Sequence, residues 1–564
     1  LTNKNVAATE VDNDSPPPGG PVRPWPDSSS RIQVFSDQLP EGMTEAQRRF
    51  AATNMVGTQK MRLSEIRTIR AYNTNFLCLH YQLAVGCGAA NFIDGDDWVS
   101  DWATVNSQEA WFLHNGSSER VHQTSWNWDV MDVTYSGTTP NTGFPQYWIT
   151  TCLARITSAE DDGVFADSFT IDGYTFGQCN PTHTWFEDND ECTANWIPSL
   201  DAYGEAIRDA FAADARGYKF LPNLGGLITG WDTTDYGVGD GGMIECFAFW
   251  NSWNLFDPLD WELQVDRGLA LVRSNKIVIC QSYPETWDYT NRMFATASYL
   301  LIKGSNTYLS LLTTGDQALE YYPEYTVNLG RAQSNAPPSL DDLWFPGWGV
   351  YRRNFTNGIV LVNPDTVTVV IASLGTNYLK VTASGGGYVD DSGSYTGSLS
   401  YSSVTTLSLP PCSGAILLWA TNAPPSSDTN LALASRGSTI TANNGAYWSR
   451  LIDGSLTTGA GYTYWRNAAN APGTVTIDLK SVFTISEIKL LLWDIDDRYQ
   501  QYRIESSTDG TTWTTVIDRT GGEWRGWQNI VSDPVFNARY IRATGTYNNT
   551  ADRFQVVEFE VYGH

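Results

Sequence analysis

The chain has 564 residues, a formal net charge of −27 at pH 7 from 62 Asp and Glu against 35 Lys and Arg, and 13% aromatic residues. That length exceeds one ordinary core, so two or three domains are expected. The acidity argues against nucleic acid or an anionic membrane as partner, because both need a basic footprint.

The 23 Trp, 28 Tyr and 22 Phe, with 48 Gly, suit an extracellular β-rich or barrel protein with stacking surfaces for sugars, although buried cores account for most aromatics. No apolar run approaches the roughly 20 residues that span a bilayer, so no membrane insertion is expected. The chain opens at Leu1 without a signal-peptide pattern, which reads as a processed N-terminus of a secreted protein. The eight cysteines are even in number. Cys78 and Cys87 bracket a polar loop, as do Cys179 and Cys192, so local disulfides are expected there. Zinc is the weaker reading, with no CxxC pair and five histidines. Asn13, Asn115, Asn354 and Asn548 head glycosylation tripeptides, which also arise by chance.

Residues 1–30, with Pro16-Pro17-Pro18-Gly19-Gly20, read as a linker or disordered leader. From Arg31 short apolar strands alternate with helical stretches, the pattern of βα units and a parallel sheet. Strands are expected at 32–36, 55–59, 76–81, 163–167, 219–223, 242–246, 276–281 and 306–309, which makes eight and points to a (β/α)8 TIM barrel over residues 31–344. Helices are expected at 64–72, 147–158, 197–215, 261–274 and 288–303. A long insert at 84–146 holds Trp98, Trp102, Trp111, Trp126 and Trp128, and suits either a wall of a sugar groove or a packed subdomain. A further strand candidate at 130–134 competes with the count of eight. Residues 345–422 read as a small antiparallel β domain, 423–429 as a linker, and 430–564 as a β-sandwich.

Two stretches share one grammar: glycine, apolar residues, then an acid. They are Asp162-Gly163-Val164-Phe165-Ala166-Asp167 and Gly241-Gly242-Met243-Ile244-Glu245. Acids at two strand ends suit a glycosidase pair, whereas either acid alone equally suits a cap on the next helix. In a retaining scheme Asp167 is the nucleophile and Glu245 the acid/base, and Met243, Ile244, Cys246, Phe247 and Phe249 would desolvate Glu245 toward its protonated form. Asp37, His80, Tyr81, Asn223, Gln281 and Tyr283 stand at other strand ends as candidate substrate contacts, His80 foremost, each also readable as a structural hydrogen-bonder. No HxH, HExxH or GxSxG motif supports a metal-dependent or serine hydrolase, and catalysis calls for no cofactor. A catalytically silent wall protein and a pure adhesion protein are the alternatives; the oligomeric state is left open.

The last segment carries Leu451-Ile452-Asp453-Gly454, Tyr502-Arg503-Ile504-Glu505-Ser506-Ser507-Thr508-Asp509-Gly510, Ala538-Arg539-Tyr540-Ile541-Arg542 and Glu558-Phe559-Glu560-Val561-Tyr562-Gly563. In that order these motifs resemble a discoidin, or coagulation factor 5/8 type C, domain of the subtype carrying Leu492-Trp493-Asp494-Ile495-Asp496-Asp497-Arg498. The resemblance implies a carbohydrate-binding jelly roll with a structural Ca²⁺ at Asp453, Thr458 and Glu558. It places sugar contacts in loops holding Trp493, Asp494, Arg498, Trp524, Trp527 and Tyr547, with Trp493 and Arg498 equally suited to a role in the fold. Such domains also bind lipids and proteins.

Residues 31–420 resemble glycoside hydrolases of the α-glycosidase-like superfamily, which includes endo-α-1,4-polygalactosaminidases and clan D enzymes. The resemblance rests on Asp162-Gly163-Val164-Phe165-Ala166-Asp167, and it implies a nucleophile at Asp167 and a proton donor at Glu245 near strand six. The expectation is a secreted enzyme acting on a polysaccharide or glycan.

Overall fold

The computed structural model describes residues 22–563 except 89–101, 115–116, 124–126, 171–188, 314–317, 421–428, 455–464, 467–472, 494–497 and 551–552. The chain divides into two compact units, one of residues 1–23, 78–222 and 232–240, the other of 24–77, 223–231 and 241–564. All eight expected parallel strands form, displaced by no more than three residues at either end: β1 (Phe35–Gln38), β2 (Gly57–Gln59), β3 (Leu77–Leu83), β4 (Gly163–Asp167), β5 (Lys219–Pro222), β6 (Gly241–Ile244), β7 (Ile277–Ser282) and β8 (Thr307–Leu311).

In the first unit β4 lies between β3 and β5, parallel to both. Val164, Phe165 and Ala166 are all buried, as a strand covered on both faces requires. Gly163 is demanded by proximity, since a Cβ there would sit 2.2 Å from the Lys219 carbonyl oxygen. Helix α3 (Phe144–Ala159) ends on Glu160 in the left-handed region, and that turn feeds the chain into β4. Trp148 of α3 donates its indole N–H to the Leu83 carbonyl at 2.9 Å. The long helix at Asn189–Ala213, α4, completes the cover.

The insert is a packed subdomain. Gly86–Cys87, His122–Gln123 and Trp128–Val130 form a three-stranded antiparallel sheet. Their apolar residues share one core with Trp148 and Phe169. Of the strand candidate at 130–134, only Val130 belongs to this small sheet and Met131 bridges Phe112 antiparallel, so it is not a ninth parallel strand. Cys78 and Cys87 are buried thiols, which corrects the disulfide expected between them: one lies in β3 and the other in the insert sheet. Cys179 and Cys192 lie where side chains are outside the described residues.

In the second unit β6, β7 and β8 run parallel, as do β1 and β2, and a parallel bridge from Val34 to Leu309 joins the two sets. Helix α1 (Glu45–Asn54), absent from the expected helices, starts at a capping box of Thr44 and Gln47. The unit also holds helices α2 (Leu63–Arg70), α5 (Pro258–Arg273) and α6 (Tyr289–Ile302), the last two capped by Asp257 and Asp288. Beyond them Trp344–Phe345, β9 (Val350–Phe355), β10 (Gly358–Asn363), β11 (Tyr378–Gly385), β12 (Gly397–Val404) and β13 (Ser413–Trp419) make one antiparallel sheet, with β13 between β10 and β11. A Cβ on Gly414 would lie 2.4 Å from the Ala297 side chain, so this glycine lets β13 seat against α6. The C-terminal β-sandwich is built from β14 (Gly473–Leu492), β15 (Gln500–Ser507), β16 (Thr514–Trp524), β17 (Trp527–Asn548) and β18 (Gln555–Gly563). Trp465, Leu490, Tyr502 and Phe554 lie in its core.

One ion pair fastens α6 to the short 3₁₀ turn at Pro323–Thr326. Arg292 and Glu324 have no exposed side-chain surface and meet through two nitrogen–oxygen contacts of 2.8 and 2.6 Å. The remaining guanidinium nitrogen donates to the Thr286 and Gly385 carbonyls at 2.6 and 2.8 Å. Removing one partner strands a charge out of water, so Arg292→Leu is expected to cost about 3–5 kcal/mol, with much of it recovered in Arg292→Leu/Glu324→Leu. Urea unfolding of the three chains measures this.

Candidate active site

Each acid of the pair stands at the carboxyl end of a parallel strand: Asp167 closes β4, and Glu245 comes directly after β6. The residue after each acid, Ser168 and Cys246, has a φ of 57°. A left-handed non-glycine residue costs about 1–2 kcal/mol, and such residues cluster where surrounding structure holds a functional group in place. Lys60, next after β2, has a φ of 59°.

In the first unit Tyr81 donates its hydroxyl to Asp167 at 2.7 Å, and the Ser168 backbone N–H reaches the other carboxyl oxygen at 2.8 Å. Register explains the contact. Tyr81 pairs with Phe165 and Leu83 with Asp167, so Tyr81 and Asp167 share a face. His80 pairs with Val164 and faces the other way. Its Nδ1 lies 3.7 Å from Asp161, and its Nε2 is buried without a partner among the described residues. Strand alternation thus turns His80 away from Asp167.

In the second unit Glu245 accepts from the Asn223 amide at 2.6 Å and from the Tyr283 hydroxyl at 2.5 Å. Gln281 donates to the Tyr283 oxygen at 2.5 Å, extending the relay. Asn223 is itself oriented by the Gly225 N–H on its amide oxygen at 3.0 Å. Burial first, then the Glu245 and Asp37 carboxylates, push the Tyr283 pKa well above its ordinary value, so Tyr283 stays a hydroxyl donor. The expectation that apolar neighbours dominate around Glu245 gives way to a polar setting, since its oxygens meet an amide and a phenol.

Asp37 accepts from the Gln59 amide and pairs with Lys60 at 3.0 Å. Gln59 and Lys60 are not among the expected site residues; their signal in the sequence is position, two polar residues closing a parallel strand beside Asp37. The Gln59 and Gln281 amide oxygens are buried without partners among the described residues. Buried acceptors of this kind are costly unless a donor-bearing ligand or water meets them. Tyr81 thus meets Asp167, Asn223, Tyr283 and Gln281 form a chain on Glu245, and Asp37 meets Gln59 and Lys60.

In the C-terminal sandwich the expected sugar contacts separate by burial. Arg498 is buried, lies 4.3 Å from the Trp493 ring centre and donates to Gln555. Trp527 is buried with Leu491 and Val557, and half-buried Trp493 packs on that group. Arg498 and Trp527 are thus buried in the packing of the fold, the structural alternative for Arg498. Tyr547 is 49% exposed, and its ring centre lies 5.8 Å from that of Tyr499. Trp524 is half-buried under Arg519, 3.9 Å from its ring centre. Asp494 and Thr458 lie outside the described residues. Glu558 is fully buried, and its Oε1 accepts from the Gly454 N–H at 3.1 Å while Oε2 has no partner among the described residues. Burial, then Glu560 and Asp453, push its pKa up to about 9.

Comparison with known proteins matches this architecture at both ends. The profile described as hypothetical glycosyl hydrolase family 15 matches residues 70–359, just over half the chain, and that of the F5/8 type C domain matches 437–559. BTB/POZ domain-containing protein 9 of Homo sapiens is 39% identical over 88 residues, 16% of this chain and 14% of that protein. The Drosophila melanogaster protein of the same name is 31% identical over 135 residues, 23% of this chain and 18% of that protein. The chain thus spans a small part of these relatives' length. Among solved structures, chitosan-binding module 1 of a chitosanase/glucanase from Paenibacillus sp. IK-5 is 34% identical, covering 24% of this chain and 99% of that one, with a TM-score of 0.21. Module 2 of the same enzyme, in complex with chitotriose, is 30% identical over 24% of this chain and all of that one, with a TM-score of 0.20. With Asp167 and Glu245 inside the longer match and most of the sandwich inside the shorter, the chain belongs to hypothetical glycosyl hydrolase family 15 and carries a C-terminal F5/8 type C domain.

Proposed function

We propose that this protein is a secreted retaining glycoside hydrolase acting on an extracellular glycan, with its C-terminal domain as a carbohydrate-binding module. The observation that carries the reading is the repeated strand end: a carboxylate, a tyrosine hydroxyl on it, and a left-handed residue after it, at Asp167 and at Glu245. Eight parallel strands in βα order support the (β/α)8 barrel reading, in which acids at carboxyl strand ends carry the chemistry. In that reading Asp167 attacks the anomeric carbon while Glu245 gives a proton to the leaving oxygen. A water then loses its proton to Glu245 and releases the sugar from Asp167. Asn223 and Tyr283 hold the Glu245 carboxyl in position, and Tyr81 holds that of Asp167. The unpartnered oxygens of Gln59 and Gln281 receive sugar hydroxyls. Appending a binding module raises the local substrate concentration.

Fluorinated glycosyl fluorides of both anomeric configurations test the chemistry. Mass spectrometry is expected to find one adduct, on the peptide holding Asp167, with none in Asp167→Asn. An adduct elsewhere, or turnover retained by Asp167→Asn, overturns the assignment. Against the hydrolysed substrate, Tyr283→Phe is expected to lower kcat by about 10²-fold with little change in KM, since efficient proton transfer contributes roughly 10²–10⁴-fold.

We also propose Ca²⁺ in the C-terminal domain. The buried, unpartnered Oε2 of Glu558 and the nearby Asp453 carboxylate supply hard oxygen donors, and Thr458 would add a third. The ion would fix the segment around Gly454 against β18 and takes no part in hydrolysis. Millimolar Ca²⁺ is expected to raise the melting temperature of the wild type and not that of Glu558→Gln, read by calorimetry against Mg²⁺.

A further inference from the structure

Within the second unit a cleft of about 700 Å³ runs between the segments that precede β1 and β2 and the sandwich strands β14, β16 and β18, with Tyr401 of β12 on its wall. That volume falls within the roughly 300–1,000 Å³ range of small-molecule sites. It opens at the amino ends of β1 and β2, where Ile32 and Asn54 line it, whereas Asp37 and Glu245 stand at carboxyl ends. It is therefore a separate site.

Its walls are aromatic and polar, and its charged residues are Arg31, Glu487, Lys489 and Arg519. Three are cations, in a chain whose net charge is −27. Arg31 pairs with Glu487 at 2.9 Å, and Lys489 lies 3.9 Å from the same carboxylate and beside Glu560. Arg519 differs. Its Nη1 donates to the Tyr502 hydroxyl and to the Gln528 amide oxygen, and its plane lies over Trp524, with no acid paired to it among the described residues. The Nε–Nη2 edge, which meets a carboxylate in a forked pair, is left to a ligand. Aromatic rings beside one uncompensated guanidinium suit a chain of flat-faced, acidic sugars.

We propose that this cleft binds an acidic oligosaccharide, with one uronate carboxylate forked on Arg519 and neighbouring sugar rings on Trp524 and Tyr401. The inference stands apart from the catalytic reading, since it uses none of the strand-end acids. Titration calorimetry of the full chain with trigalacturonate, a neutral trisaccharide and a short oligoglutamate tests it. Trigalacturonate is expected to bind with a Kd below about 1 mM, to weaken as salt rises from about 0.05 to about 0.5 M, and to exceed the neutral sugar about tenfold or more. Arg519→Met and Tyr401→Ala, each checked for an unchanged melting temperature, are expected to weaken it about tenfold. Tyr401→Ala keeps the test open should Arg519→Met fail to fold. No binding of trigalacturonate, equal binding of the neutral sugar or of oligoglutamate, or full affinity in both folded variants overturns the proposal.

Discussion

Strands β4 and β6 are buried on both faces and meet an acid only at their carboxyl ends, and that constraint governs the candidate active site. Every position of β4 and β6 before the acid is apolar or glycine, because an unpaired polar side chain buried in a strand is costly. The acid therefore comes at the carboxyl end, and the chain must turn at once to leave the sheet. Ser168 and Cys246 make that turn in a region that L-residues avoid. The strain is local and the return is directional, since a short turn fixes where each carboxylate points.

Once placed there, the acids need partners that hold them. Both receive a tyrosine hydroxyl, and these tyrosines come from different positions relative to the acid. Tyr81 belongs to the adjacent parallel strand and reaches Asp167 through register, while Tyr283 comes just after β7 and reaches Glu245 from beyond the strand end. On β1 and β2 the same logic produces an ion pair, Asp37 with Lys60, steadied by Gln59. The strand ends thus present fixed carboxylates, with the Gln59 and Gln281 amide oxygens buried without partners among the described residues.

The C-terminal sandwich divides its aromatic residues between two tasks. Trp465, Trp527 and Tyr502 are spent on packing, and Arg498 is drawn inward by Trp493 and Gln555. Tyr547 and Trp524 keep exposed surface. The same residue types serve both, so burial alone separates them. Glu558 shows the converse case: a carboxyl is buried with one oxygen unmet among the described residues, an arrangement that is costly by itself.

Much of this is legible in the chain. Apolar runs of strand length set between helical periods locate all eight parallel strands within three residues, because burial on both faces leaves a run that few other structures need. The acids at Asp167 and Glu245 are visible as breaks at the ends of those runs. Separated motifs mark the C-terminal domain. What local sequence could not decide was direction and company. Whether His80 or Tyr81 meets Asp167 depends on which face of β3 turns toward it, and adjacent residues in a strand always part. Whether Lys60 matters depends on β1 lying beside β2. Whether Trp527 and Arg498 are surface or core depends on strands distant in sequence closing over them. Composition and periodicity determined the elements and their acids; only tertiary packing decided which side chains those acids meet, because hydrogen bonds and burial are set by neighbours that the order of residues does not name.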